Sequence, residues 1–376
     1  MMRLAATVEG VIHLEVGEPS FDTLTHIVDA AFADARAGFT RYTPTAGLDS
    51  LREAIAVRTT ARWKQTVSAD EVLVSAGAVS AIAAAIFALA EEGDEVLLPD
   101  PGWPNYRSIT PLTGATPAFY PLRIEDGYVP DPDLIAACVT PRTKVLLLNT
   151  PANPTGAVFP PEIMAGLMRV AQEHDLYVVS DEIYEDLIFE GAHTPAAPFD
   201  PERVITVSGF SKTYAMTGWR VGYAIASRPL VELMTKVEEP LISCPSAVSQ
   251  RAAEAALRGP QEALVGMRDA YRCRRDLVRE AFAGTALLPV VPHGAFYAMV
   301  DCRALGVPSE TLARELLLEE RVATAPGATF GPSAEGTLRI SLAVADANLI
   351  EGCARIRAFV ARRTAVPFAR DRSLTP

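Results

Sequence analysis

From about residue 70 the chain alternates short apolar runs with segments whose apolar residues recur at helical spacing. The runs read EVLVSAG, DEVLLPD, TKVLLLNTP, LYVVSDE, RVITVSG and WRVGYAIAS, and AVSAIAAAIFALA (78–90) between the first two reads as a buried helix. That alternation predicts an α/β fold: a large domain with a mixed, mainly parallel sheet flanked by helices. Each run closes in a polar or glycine-bearing turn, at Gly77, Asp100, Asn149 and Asp181 for the first four. Ligands of open α/β sheets gather at such carboxyl ends of strands, so the chemistry is expected there.

Beyond about residue 245 the pattern turns helical, through PSAVSQRAAEAALRG and an Arg- and Glu-rich run to about 283. A smaller α+β region follows, with GAFYAMVD, RVATAPG and LRISLA as strands and a last helix from about Asp346 to Arg362. VIHLEVGEP precedes the main alternation and is expected to join this second layer. The predicted division is an N-terminal segment 1–28 joining a small domain, a large domain 29–283, a C-terminal small domain 284–364, and a loose basic tail 365–376.

Composition narrows the partners. A chain of 376 residues, 49% hydrophobic and 21% charged, leaves no room for extensive disorder. A net charge of −12 argues against a nucleic-acid backbone or an anionic membrane as main partner, so any bound anion must meet a local positive site. Five scattered cysteines without a C-x-x-C pair indicate neither a disulfide framework nor a zinc site, and a cytoplasmic setting is expected. The opening MMRLAATVEG lacks an apolar run of signal length, and 78–90 is too short to span a bilayer. No H-E-x-x-H pattern or close histidine pair points to a metal.

The stretch SGFSKTYAMTGWRVGYA (208–224) sets Lys212 between a glycine turn and a Gly-Trp-Arg step in otherwise buried surroundings. An ammonium there needs a partner, a lowered pKa or a covalent bond, unless its stem merely lies along the surface. SAG at 75–77 closes a strand and opens a helix, a geometry that suits a phosphate, and it is neither a Walker loop nor a G-x-G-x-x-G fingerprint. In NPTG (153–156) two prolines extend a loop from which Asn153 either points into the cleft or caps a turn. SDEIY puts Asp181 at the end of an apolar strand, with Tyr184 following, as a turn cap or a functional acid.

Taken together, VGEP (16–19), RYTPTAG (41–47), SAGA (75–78), DPGWPNY (100–106), NPTG (153–156), SDEIYE (180–185), SK…TGWRVG (211–222) and LRIS (338–341) resemble the class I/II aminotransferases. These are enzymes of fold type I that use pyridoxal 5′-phosphate, and the likeness covers nearly the whole chain. It implies that Lys212 binds the cofactor through an imine and then serves as general base. Asp181 would face the pyridine nitrogen, while Tyr184 and Asn153 would hydrogen-bond the 3′-oxygen. Arg220, with the backbone at Gly77 and Ala78, would bind the phosphate, and Trp103 would stack on the ring. Tyr42 would reach the phosphate of a neighbouring subunit, implying a homodimer with shared sites. Arg339 and the backbone of Gly17 would hold the substrate α-carboxylate.

The sequence also departs from the family pattern. It reaches VGEP sooner than is usual, which bears on how the site closes. Gly209 stands where many relatives have a phosphate-binding serine, so Ser208 or Ser211 is expected to supply that hydroxyl. Val79 takes the place of a lysine that in one branch binds a side-chain carboxylate, and VEEPLISCPS (237–246) lacks the arginine of another branch. Either Glu238 or Glu239, if it faced the pocket, would repel a dicarboxylate. The resemblance thus implies a transaminase moving an amino group from an L-amino acid, not strictly a dicarboxylic one, to a 2-oxo acid by a ping-pong mechanism. A lyase or specialised biosynthetic enzyme of the same fold is the alternative; a ligand-sensing domain without catalysis is remote, because no helix-turn-helix precedes VGEP.

Overall fold

The computed structural model describes residues 1–365. After the short strand β1 (Ile12–His13) come the members of a seven-stranded sheet: β2 (Val72–Ser75), β3 (Glu95–Asp100), β4 (Thr116–Pro121), β5 (Thr143–Asn149), β6 (Tyr177–Asp181), β7 (Val204–Gly209) and β8 (Gly222–Ile225). Their order across the sheet is β2-β8-β7-β6-β5-β3-β4. All neighbours pair in parallel except β8, which is antiparallel to both β7 and β2. The sheet is therefore mixed and mainly parallel, as the alternation predicts.

Its inner strands are apolar on both faces because both faces are covered. Val145 and Leu147 of β5 join Val96, Val179 and Ile205 under the helix Ala78–Leu89. Leu146 and Leu148, pointing the other way, pack with Val178 against Met164, Leu167 and Met168 of the helix Pro161–Glu173. The helix Ala78–Leu89 is apolar nearly all round since it lies between the sheet and the helix Arg228–Ile242.

The reversal at β8 has a consequence for the site. Ser75 ends β2 opposite Gly222, and Gly222 begins β8 opposite Gly209, the end of β7. Asn149 and Asp181 end β5 and β6 side by side. The carboxyl ends of four strands thus share one edge, and the loop 210–221 must turn there.

At the other end of the chain β9 (Tyr297–Asp301), β11 (Ala325–Pro326) and β12 (Thr337–Ser341) form an antiparallel sheet in the order β11-β12-β9, while β10 (Val322–Ala323) pairs in parallel with β1. RVATAPG, expected as one strand, is two, because β10 and β11 take different partners and Pro326 has no N–H to extend a ladder. The helix Glu262–Ala281 packs on the helix Asp346–Ala365, and Tyr271, Val278 and Phe282 share a core with Leu14, Phe296, Ile340 and Leu349. That last helix runs on to Ala365. The expected tail, 365–376, otherwise lies outside the described residues. Among the described residues no helix is long and apolar enough to cross a membrane.

Candidate active site

Around the shared edge lies a cavity of about 530 Å³ whose lining includes Gly17, Ala78, Trp103, Asn153, Asp181, Tyr184, Ser211, Lys212, Arg220 and Arg339. Residues more than three hundred positions apart in sequence meet there because the turns after β2, β5, β6 and β7 all open on that edge, and β12 brings Arg339 from the smaller sheet.

Lys212 sits in the turn between β7 and β8, and its Nζ donates to the carbonyl oxygen of Gly17 at 2.7 Å. The ammonium also stands over the rings of Phe296 and Tyr184, 5.6 and 5.9 Å from their centroids. The next residue anchors this turn from behind: Thr213 Oγ1 donates to Asp186 Oδ2 at 2.9 Å, and the same carboxylate pairs with Arg58 at 2.6 Å and with Arg62.

Asp181 is 3% exposed, and its Oδ2 accepts from the hydroxyl of Tyr106 at 2.6 Å. Burial pushes its carboxyl up to about 6, against the downward pull of the Tyr106 hydroxyl and the Ile183 N–H. Tyr184 shares a hydrogen bond of 3.0 Å with Tyr297, and burial drives its hydroxyl well above the ordinary tyrosine value. Asn149 accepts from the Asn153 N–H at 2.8 Å and donates to the Asp181 carbonyl at 3.0 Å, so one side chain fixes the relative position of two site loops.

Arg220 has a positive φ of 52°, which carries its side chain back across the start of the helix Ala78–Leu89. There it donates to the carbonyls of Thr217 at 2.9 Å and Ala76 at 3.4 Å. Among the described residues no side chain caps that helix, so its leading N–H groups and its dipole remain for an anion beside the guanidinium. Gly222 lets the helix come so near: a Cβ there would stand 2.5 Å from the Ala78 nitrogen.

Arg339 is 6% exposed and donates to Asn153 Oδ1 at 3.1 Å and to the Glu15 carbonyl at 2.5 Å. Its guanidinium lies 4.3 Å from the Tyr297 ring centroid and 4.8 Å from that of Phe330. Burial lowers its pKa, and Nε has no hydrogen-bond partner among the described residues. Such a group suits a two-pronged carboxylate.

Other expected residues fall elsewhere. Tyr42 is 90% exposed and lines a surface groove with Arg41, Cys244 and Pro245, not the cavity of its own chain. Ser208 is turned away, donating to Glu185 at 3.1 Å, which leaves Ser211 as the nearer hydroxyl. Glu238 does not face the cavity either: it is buried between helices, accepting from Ser80 at 2.9 Å, and Glu239 is exposed. Sequence reasoning marked Asn149 only as the polar end of an apolar run, and it passed over Tyr106, Tyr297 and Glu15. Tyr106 was in view within DPGWPNY, and Glu15 stood out only as an acid among apolar neighbours just before Gly17.

The residues fit pyridoxal 5′-phosphate on the structure's own terms. The uncapped helix start with Arg220 suits a phosphate, the buried Asp181 carboxyl suits a protonated ring nitrogen, and Lys212 reaches the space between them.

Residues 9–356 match the family model described as aminotransferase class I and II. The chain is 39% identical to the aspartate/prephenate aminotransferase of Thermus thermophilus, covering 94% of this chain and 91% of that protein. It is 38% identical to the arginine–pyruvate transaminase of Pseudomonas aeruginosa, covering 93% and 89%. Among solved structures, an aromatic aminotransferase from Pyrococcus horikoshii superposes with a TM-score of 0.92 at 37% identity, covering 97% of this chain and 100% of that one.

Proposed function

Since the chain belongs to the class I and II aminotransferases and is a pyridoxal 5′-phosphate-dependent transaminase acting on an amino acid and a 2-oxo acid, we propose that its amino donor is not strictly dicarboxylic and that the cavity residues divide the work as follows. When bound, the cofactor supplies a sink for the electrons freed at the donor Cα. Lys212 would hold the cofactor through Nζ and, once freed, would serve as the base that takes the proton from the donor Cα. Asp181, backed by the Tyr106 hydroxyl, keeps the ring nitrogen protonated, while Tyr184 and Asn153 orient the ring oxygen. Arg220, the backbone at Gly77 and Ala78, and Ser211 hold the phosphate; Trp103 covers the ring. Arg339 with Gly17 fixes the α-carboxylate.

The observation that carries the donor class is the inventory of cations. Among the described residues the cavity is lined by Lys212, Arg220 and Arg339 alone, and each has a task, while Val79 presents an apolar side chain. Among the described residues no further guanidinium or ammonium lines this cavity for a second carboxylate, which favours neutral, aromatic or basic donors. The relatives named above span acidic, aromatic and basic donors, so family membership leaves this choice to the pocket.

The working unit is a cytoplasmic homodimer in which Tyr42, exposed on its own chain, completes the partner's phosphate site. Residues 29–283 form the large domain, and 1–28 with 284–364 the small one; the helix Glu262–Ala281 lies along the boundary and lends side chains to the smaller core. The test is the visible absorbance of the purified holoenzyme after addition of single amino acids without an oxo acid. Conversion by neutral or basic donors faster than by aspartate supports the reading. Preference for aspartate, or no conversion by any amino acid, overturns it.

A further inference from the structure

The wall that carries Arg339 also carries a carboxylate with no task in the transfer step. Glu15 has a side chain only 4% exposed, and its Oε1 meets His13 Nδ1 at 2.8 Å. Its other oxygen, Oε2, is buried with no hydrogen-bond partner among the described residues. Glu15 lines the main cavity and, with Met2, Trp103 and Arg339, also lines an adjoining cavity of about 510 Å³ under the helix Ser309–Glu320. A buried carboxylate oxygen left unpaired is costly, and the cost is recovered when a cation arrives.

We propose that Glu15 is a specificity-determining residue that selects amino donors bearing a positively charged side chain, its Oε2 receiving a guanidinium or ammonium. The geometry gives the reason. The backbone carbonyl of Glu15 accepts from Arg339 Nη2, so the anchor for the α-carboxylate is tied to the segment that carries the Glu15 carboxylate. A substrate carboxylate placed on Arg339 therefore lies near a second negative charge, which penalises an acidic side chain and is offset by a basic one. The adjoining cavity, which Glu15 also lines, gives an extended side chain room beside this residue. Glu310 also lines this cavity; Arg314, on the same helix, makes the rim mixed in charge, so the buried anion at the partition is the selecting group.

The inference rests on the donor reading above and sharpens it to one class. The test compares wild type with Glu15→Gln, which keeps the shape and the acceptor for His13 and removes the charge. Half-reaction rates are measured with L-arginine, L-lysine, L-leucine, L-phenylalanine and L-aspartate, and binding of unreactive 5-guanidinopentanoate and pentanoate to the holoenzyme is followed by calorimetry. The expected result is a loss in kcat/KM of roughly ten- to hundred-fold for the two basic donors, carried mainly by KM. The neutral donors change less than about two-fold, and 5-guanidinopentanoate loses its advantage over pentanoate. A variant that loses basic and neutral donors alike, or that keeps its arginine rate, overturns the assignment of Glu15. If wild type converts neutral donors and not basic ones, this inference alone fails; if it converts none, the donor reading fails with it.

Discussion

Arg220 occupies the space that a side chain at Gly77 would need: a Cβ built on residue 77 would stand 2.6 Å from Arg220 Nη2. The two residues meet because β8 returns antiparallel beside β2, setting the end of one strand opposite the start of the other. Gly77 has a φ of 85°, a region that side chains disfavour, so conformation and space exclude a larger residue for separate reasons.

Gly77→Ala should therefore leave the core folded but displace the guanidinium from the helix start. The expected outcome is cofactor affinity weaker by roughly ten-fold or more, the size of a lost hydrogen bond between the guanidinium and an anion, about 1.5–3 kcal/mol. Titration of the apoprotein with pyridoxal 5′-phosphate, followed by tryptophan fluorescence, checks it. Unchanged affinity would show that Arg220 can be held elsewhere without loss.

Asp181 separates stability from function. Its folded-state pKa, about 6, lies above the ordinary 3.8, so the folded apoprotein binds the proton more tightly than the unfolded chain does. That contribution is fully present below pH 3.8 and is lost as pH rises through about 6, leaving a cost of about 3 kcal/mol at neutral pH. Asp181→Asn should raise the melting temperature of the apoprotein at pH 7.5 and abolish most of the transaminase rate. An apoprotein no more stable than wild type would mean that Asp181 is better solvated than its burial implies.

Much of this site could be read from the chain before the structure, and the reason is local. The residues that terminate buried parallel strands must turn at once, so Asn149, Asp181 and the lysine turn are announced by the apolar runs before them. What escaped is what depends on long-range packing. β4 was not foreseen because Pro117 and Pro121 interrupt a strand that lies at the sheet edge and is partly exposed. Tyr106 lines the cavity, and its bond to Asp181 spans 75 positions that no periodicity connects. Glu15 and Glu238 looked alike in sequence, acids among apolar residues, yet only the fold decides that the first faces the cavity and the second does not.

Arg339 is held by an amide oxygen, a carbonyl and two aromatic faces, an arrangement that fits a planar fork and not a point charge. Arg339→Lys is expected to raise KM for every amino donor by roughly ten- to hundred-fold while changing the spectrum of the resting holoenzyme little. Steady-state kinetics beside an absorbance scan checks this. An equal effect on cofactor absorbance would reassign the residue from substrate binding to cofactor binding.

Glu238 offers a pH test that touches no substrate. It is fully buried on the helix that backs Ala78–Leu89, it accepts from Ser80, and its Oε2 has no partner among the described residues. Burial pushes its carboxyl from the ordinary 4.5 up to about 7, with the Ser80 hydroxyl pulling the other way. The folded chain therefore holds this proton where the unfolded chain releases it. Stability from this group is whole below pH 4.5 and declines as pH rises through about 7. Glu238→Gln retains an acceptor for Ser80 and removes the titration. Against wild type, the variant should gain up to about 3 kcal/mol of unfolding free energy by pH 8 and nothing at pH 4.5. Denaturant unfolding at both pH values gives the difference directly. A gain equal at the two pH values would assign the effect to packing, and no gain at pH 8 would mean that a cation reaches Oε2 in the assembled enzyme.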